Sequence, residues 1–293
     1  MNISYVLLTA AKNEEKYIRQ TIESIVSQKI LPEKWVIVSD ASTDSTDDII
    51  QEYAYKFSFI QYVRATDQSK RDFASKTFAL NIGYKYLKDL DYNFIGFLDA
   101  DVTFSPIYYE TILNKFLLDL KLGVAGGIFY DVYDGKRHKI PISYHSVGGA
   151  VQLFRRKCYE DIGGLVPLIS GGIDTYAEIS ARQYGWKVRT FDDAEILHHR
   201  RTGTAATKLI RYKFRQGIVE YSLGYYPLFQ GLKCVGRLVE KPYIIGALLR
   251  FSGFWWATFK KEKRTVSKDF LDYVRKEQKE RFRNIFLLKK ENI

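Results

Sequence analysis

Cysteine is almost missing: the 293 residues contain two, Cys158 and Cys234. Two widely separated thiols make neither a Cys-x-x-Cys motif nor a disulfide framework, so a stapled secreted scaffold and a thiolate zinc site are excluded and a reducing compartment is expected. Glycine-rich phosphate loops are missing as well. No Gly-x-Gly-x-x-Gly follows the first apolar run, and no Gly-x-x-x-x-Gly-Lys-Ser/Thr occurs, which argues against a dinucleotide-binding domain and a P-loop NTPase. Long uncharged runs are also lacking. The most apolar stretch, residues 242–259, is broken by Arg250 and falls short of the about 20 uncharged residues of a spanning helix. An interfacial or re-entrant segment is the expectation; a core helix with Arg250 paired inside the protein is the alternative. The opening, Met1 to Ala11, has no basic start and runs into Lys12-Asn13-Glu14-Glu15, which predicts a buried strand rather than a secretory signal and a catalytic part facing the cytoplasm.

What is present is an ordinary globular composition, 46% apolar and 27% charged, with aromatics at 15%. The net charge of +11 is uneven: Arg200 to Ile293 hold 22 Lys and Arg against 8 Asp and Glu, a balance of +14, whereas residues 1–199 carry −3. Such a basic third predicts an anionic partner surface, nucleic acid or anionic lipid. No nucleic-acid reading motif accompanies it, so the expected partner is membrane and not nucleic acid.

Short apolar runs alternate with amphipathic stretches. Strands are predicted over 3–10, 35–38, 59–63, 93–98 and 123–129. Helices are predicted around Ile18, Ile22, Ile25 and Val26, after a Ser45–Asp48 capping box, over 73–88, and from Pro106. This order is the signature of a doubly wound, mostly parallel sheet, in which ligands sit at the carboxyl ends of strands. The polar clusters after the first, second and fourth strands fall there. Asp99 and Asp101 end the fourth strand two residues apart, with small Ala100 between them, so on an extended backbone they share a face. Mg²⁺ or Mn²⁺ relieves the repulsion of two such carboxylates and takes substrate phosphates as further ligands. Asp40 ends the second strand, where a carboxylate accepts hydrogen bonds from a base or ribose; Asp44 is assigned to capping. A neutral His198 at a strand end is a candidate further metal ligand, and Arg200, Arg201, Lys208, Arg211, Lys213 and Arg215 are candidates for gripping diphosphate oxygens.

Together these segments resemble the family 2 glycosyltransferases of GT-A fold over residues 3 to about 200. Thr9-Ala-Ala-Lys-Asn13-Glu14-Glu15 is similar to that family's opening, and Val38-Ser-Asp40-Ala-Ser-Thr-Asp44 to its nucleotide-contacting motif, with Ser39 in place of an aspartate. Asn81-x-Gly83 resembles the end of the next helix, with Lys70 or Arg71 upstream, and Asp99-Ala100-Asp101 matches the metal-binding Asp-x-Asp. Gly172-Ile173-Asp174 takes the place of the family's Gly-Glu-Asp. The resemblance implies that Thr9, Asn13, Glu14, Asp40, Arg71, Asp99 and Ala100 bind a nucleotide sugar and that Asp99, Asp101 and His198 hold Mg²⁺ or Mn²⁺. It implies Asp174 as catalytic base, with Glu178, one helical turn on, sharing or taking that role.

The expected fold is α/β: a GT-A, Rossmann-like, mostly parallel sheet with flanking helices over residues 1–215. A basic, helical, membrane-associated extension is expected over 216–293. The expected activity is metal-dependent inverting transfer from a nucleoside diphosphate sugar, UDP-linked by resemblance, to a glycan or lipid-linked acceptor of bacterial surface polysaccharide, peripheral or monotopic at the cytoplasmic face of the membrane. The alternative is a nucleotidyltransferase or sugar-nucleotide-binding protein without glycosyl transfer.

Overall fold

The computed structural model describes residues 3–65, 75–200, 209–240 and 242–290, with side chains to Arg283. The chain divides into two compact units: residues 1–169 with 173–202, and residues 203–293 with 170–172.

In the first unit, β1 (Tyr5–Ala11) is buried along its length. Its apolar run has no polar side because both faces are covered. Tyr5 and Leu7 enter one core with Ile18, Ile50 and Ile112; Val6 and Leu8 enter the other with Ala79, Leu80 and Ala177. Strand β2 (Lys34–Ser39) pairs parallel with β1, and β3 (Ile60–Arg64) with β2. On the other side β4 (Phe94–Leu98) runs parallel to β1. These four strands are the predicted parallel sheet, and their carboxyl ends share one edge.

Beyond β4 the sheet is mixed, which corrects the doubly wound expectation. Strand β8 (Val151–Arg155) is antiparallel to β4 and to β6 (Leu122–Tyr133). Strand β9 (Lys187–His198) runs parallel to β6, and β5 (Val102–Phe104) antiparallel to β9. The order is β3-β2-β1-β4-β8-β6-β9-β5, with β7 (Lys136–Lys139) hairpinned onto β6. Helices α1 (Ile18–Val26), α2 (Thr46–Lys56) and α4 (Tyr108–Leu118) contribute to one core. The other takes α3 (Ser75–Tyr84), α5 (Arg156–Asp161) and α6 (Ile173–Gln183). Buried Gln28 ties α1 to the α4 start, donating to Ser24 and Ser105 carbonyls and accepting from the Tyr109 amide at 3.1 Å.

The start of α2 departs from the predicted capping box. Ser45 makes no side-chain cap bond; Asp44 accepts from the Thr46 amide at 3.0 Å, and Glu15 accepts from the Ser45 amide at 3.0 Å. A carboxylate from the neighbouring loop thus does what the local motif was expected to do.

The second unit is helical: α7 (Leu209–Ser222), α8 (Pro227–Gly236), α9 (Tyr243–Phe259) and α10 (Lys268–Lys290). Helix α9 packs on α7 through glycines. A Cβ at Gly217 would strike the Arg250 carbonyl, and one at Gly253 the Phe214 carbonyl. Arg250 is buried and bonds Glu220 through two nitrogens and Gln216 at 3.0 Å. Glu220 also takes Lys233 at 2.6 Å and Gln230 at 2.7 Å. These cations outweigh the burial that would raise the Glu220 pKa and hold it down at about 2. The arginine inside the apolar run is therefore paired within the protein, and no helix among the described residues is long and apolar enough to cross a membrane.

Candidate active site

The site lies at the carboxyl edge of β1, β2 and β4. The loop after β1 is clamped to the loop after β2. Asn13, at φ 55°, accepts from the Thr43 amide at 2.8 Å, its own amide donates to Ser42 at 3.1 Å, and Lys12 reaches Asp40 at 2.9 Å. An asparagine tolerates this left-handed backbone better than most side chains. Thr9 stands apart from the predicted nucleotide contacts. Its side chain is fully buried and accepts from the Trp35 indole at 3.0 Å, so it braces β1 against β2. Ala100 is also buried, and its carbonyl accepts from Thr21 at 2.9 Å. Arg71 and Lys70, like Arg201 and Lys208, lie outside the described residues; Arg211, Lys213 and Arg215 belong to α7 in the second unit.

Asp99 to Asp101 form a turn between β4 and β5 rather than the end of an extended strand. Alternation therefore does not govern them, and the two carboxylates take different partners. Asp99 bonds Lys76 of α3. Asp101, 6% exposed, faces His198 Nε2 at 3.4 Å and Arg200 Nε at 3.4 Å. The strand register sets this up: His198 lies opposite Val102 on β5 and opposite Asp131 on β6. Asp131 holds His198 Nδ1 at 2.9 Å. Burial alone would lower the His198 pKa; Asp101 and Asp131 outweigh it and raise it to about 10, so a cation taken up at Nε2 would have to displace a proton. His199 turns the other way, to Thr103 at 2.8 Å.

The Asp101–His198 separation of 3.4 Å is near the ~3 Å between adjacent ligands of an octahedral cation with bonds of about 2.1 Å. The Asp131 carboxylate behind the imidazole is the support a ligating histidine needs to aim its other nitrogen. Among the described residues no three His, Cys, Asp or Glu side chains gather as a metal cage.

Glu14 belongs to the same cluster. Its carboxylate pairs with Arg200; burial, with Asp101 and Asp99 adding to it against Arg200, lifts its pKa to about 7.

Asp174, in the first turn of α6, lies over Gly149, where a Cβ would fall 2.6 Å from Oδ2. Only glycine leaves room for that carboxylate. The neighbouring Ala150 carbonyl accepts the Asp99 amide at 2.8 Å, so the loop before β8 brings the two aspartates together. Lys76 completes the convergence. Burial would lower its pKa, but Asp99, Asp174 and Asp101 together raise it. No spacing rule singled out Lys76; its place depends on how α3 packs on β1 and β2.

Glu178, the other candidate base, is held as a structural anchor. It is 3% exposed and accepts from Ser146 Oγ at 2.7 Å, the Val147 amide at 2.7 Å and Gln152 at 3.1 Å. It fastens the segment leading to Gly149 from inside, and burial lifts its pKa to about 8.

Comparison with known proteins agrees with this architecture. The family model "Glycosyl transferase family 2" matches residues 7–177. The chain is 25% identical over 181 residues to the glycosyltransferase GlyA of Streptococcus pneumoniae, covering 61% of this chain and 24% of that protein. It is 32% identical over 117 residues to the minor teichoic acid biosynthesis protein GgaB of Bacillus subtilis, covering 39% and 12%. The chain thus spans a quarter or less of these two curated relatives. Among solved structures, S. aureus TarS (residues 1–349) in complex with UDP-GlcNAc superposes with a TM-score of 0.54 at 15% identity, covering 93% of this chain and 78% of that one. The mannosyltransferase PcManGT from Pyrobaculum calidifontis, with GDP-Man and Mn²⁺, gives 0.56 at 16% identity, covering 90% and 76%. These structural likenesses show a shared GT-A-like fold. With the family model spanning more than half of its length, the chain belongs to glycosyl transferase family 2.

Proposed function

We propose that this family member is an inverting, metal-assisted glycosyltransferase, moving a sugar from a nucleoside diphosphate, UDP foremost, to a hydroxyl of a glycan or lipid-linked acceptor in bacterial surface polysaccharide synthesis. One observation carries the reading: Asp101 meets a histidine braced by Asp131, while Asp99, bonded to Lys76, is tied through its amide to Ala150, next to the Gly149 over which Asp174 lies. In this reading the base and the cation ligands meet at one strand edge.

In this reading Asp174 accepts the proton of the acceptor hydroxyl as that oxygen attacks the anomeric carbon. The bond to the diphosphate breaks, its electron pair leaves with the diphosphate, and attack from the opposite face inverts the configuration. Asp101 and His198 would hold Mg²⁺ or Mn²⁺, which when bound neutralises charge growing on the leaving diphosphate. Asp40, Asn13 and Glu14 are assigned in this reading to the nucleotide, and Lys76, bonded to Asp99, to the diphosphate. The GDP-Man- and UDP-GlcNAc-bound relatives support a nucleotide-sugar donor. Bridging of Asp99 to Lys76 leaves Asp101 as the principal carboxylate ligand.

Paired variants test the base. In a panel of UDP-, GDP- and dTDP-sugars with Mn²⁺, Asp174→Asn is expected to keep the nucleotide-induced thermal shift and lose transfer by about 100-fold or more, the scale of a positioned general base. Glu178→Gln, whose carboxamide retains the bonds to Val147 and Ser146, should stay within a few-fold of the parent. Near-normal turnover by Asp174→Asn, or a collapse confined to Glu178→Gln, overturns the assignment.

A further inference from the structure

We propose that the C-terminal unit docks on an anionic lipid bilayer surface through the outward face of α9, with α8 adding a second apolar stripe. This stands apart from the catalytic reading, since it rests on the second unit alone.

Helix α9 has two faces of different kind. Inward, Gly246, Arg250, Gly253 and Ala257 recur at helical spacing and are buried. Outward, Ile244, Leu248, Phe251 and Phe259 recur at the same spacing on the opposite side, 59%, 57%, 40% and 78% exposed. The one charge in the helix, Arg250, is used up inside by Glu220, so the outward face carries none over 17 residues, about 25 Å of helix. A helix face that meets only water is ordinarily polar. Helix α10 obeys that rule in the same unit, exposing Lys268, Asp269, Asp272, Lys276, Lys279 and Glu280. Helix α8 breaks it as α9 does: Leu228, Leu232 and Val235 stand at i, i+4 and i+7, all exposed. Apolar surface of this extent marks an interaction site.

Charge selects the occupant. The exposed Lys260, Lys261 and Lys263 follow directly on α9, within a third of the chain that holds 22 basic against 8 acidic residues. A second copy of the chain would bring like charges together, whereas an anionic bilayer neutralises them while its acyl boundary takes the rings and branched side chains. With no described helix long and apolar enough to cross a bilayer, the segment lies in the interface plane.

Vesicle co-sedimentation of the full chain tests this. Binding to phosphatidylcholine vesicles containing phosphatidylglycerol is expected, and it should weaken with added salt. The double variant Leu248→Glu/Phe251→Glu should lose it by about tenfold or more, since it takes two apolar anchors out of the interface. The variant Lys260→Gln/Lys261→Gln/Lys263→Gln leaves the apolar face whole and should weaken binding to the anionic vesicles selectively. Circular dichroism and the UDP-induced thermal shift of the first unit, both expected unchanged, show that the variants fold. No sedimentation of the parent chain, or equal sedimentation of parent and Leu248→Glu/Phe251→Glu, overturns the proposal. So does light scattering that finds a dimer of the parent which the double variant breaks, because the face then belongs to a second copy.

Discussion

At the scale of single residues, the chemistry rests on how carboxylates are partnered. Asp101 is nearly buried yet its pKa is lowered: burial would raise it, and His198, Arg200 and Lys76 reverse that. Asp131 is the positioning residue behind this pair, holding the far nitrogen of His198 at 2.9 Å. Removing its charge leaves the imidazole free to turn. Asp131→Asn is therefore expected to weaken Mn²⁺-dependent UDP binding by about 10- to 100-fold, the usual cost of losing such a support, while Asp101→Ala abolishes the metal dependence. Calorimetry with UDP, with and without Mn²⁺, reads both. UDP affinity indifferent to metal and chelator in the parent would dismiss the cation site. Asp174 and Glu178 share a helix face and differ in everything else: one lies over a glycine beside Lys76, the other is locked to Ser146, Val147 and Gln152.

At the scale of elements, backbone proximity decides what side chains alone do not. The turn after β4 reaches His198 because β5 pairs with β9, and the loop under Asp174 is bonded to the Asp99 amide where β8 pairs with β4. In the second unit the α7–α9 contact depends on glycine in the same way. Gly253→Val would drive a side chain into the Phe214 carbonyl, so urea unfolding should show a loss of about 3 kcal/mol or more, the upper range for overpacking. Gly231 on α8 faces open space. Gly231→Ala should be neutral or add up to about 1 kcal/mol through helix propensity. Equal effects of the two substitutions would mean that α9 does not pack on α7 this closely.

At the scale of the whole molecule, two buried glutamates, one in each unit, respond to pH with opposite sign. Glu178 has its folded pKa raised to about 8 from 4.5 by burial. The folded state thus keeps a proton that the unfolded chain gives up, and the stability this contributes is fully present below pH 4.5 and lost as pH rises through 8. Glu220 has its folded pKa lowered to about 2 from 4.5; its contribution is present above 4.5 and lost as pH falls through 2. Denaturant unfolding of the first unit should lose at least about 1 kcal/mol between pH 5 and 9, one unit of pKa being worth about 1.4 kcal/mol. Glu178→Gln should reduce that slope without abolishing it, because Glu14 and His198, with pKa values raised to about 7 and about 10, lose stability over the same range. A slope unchanged in Glu178→Gln would show that Glu178 is not its source. The charge asymmetry, −3 over residues 1–199 and +14 beyond, is likewise a property of the entire chain.

The order of strands and helices through β4, the burial of β1 on both faces, and the candidate carboxylates at the strand ends were legible in the sequence. Each is a matter of near neighbours: periodicity, turn residues, and motifs spaced within one βα unit. The mixed half of the sheet, the separate partners of Asp99 and Asp101, and the roles of Lys76, Asp131 and Glu178 were not, and the internal pairing of Arg250 stood only as one of two alternatives. Lys76 meets an aspartate 23 residues away, and His198 one 67 residues away. Contacts of that range follow from strand pairing and helix packing, which no local pattern encodes. Sequence determined which groups can carry charge and where the chain turns; the tertiary structure decided which charges face one another, because only packing sets distance and excludes water.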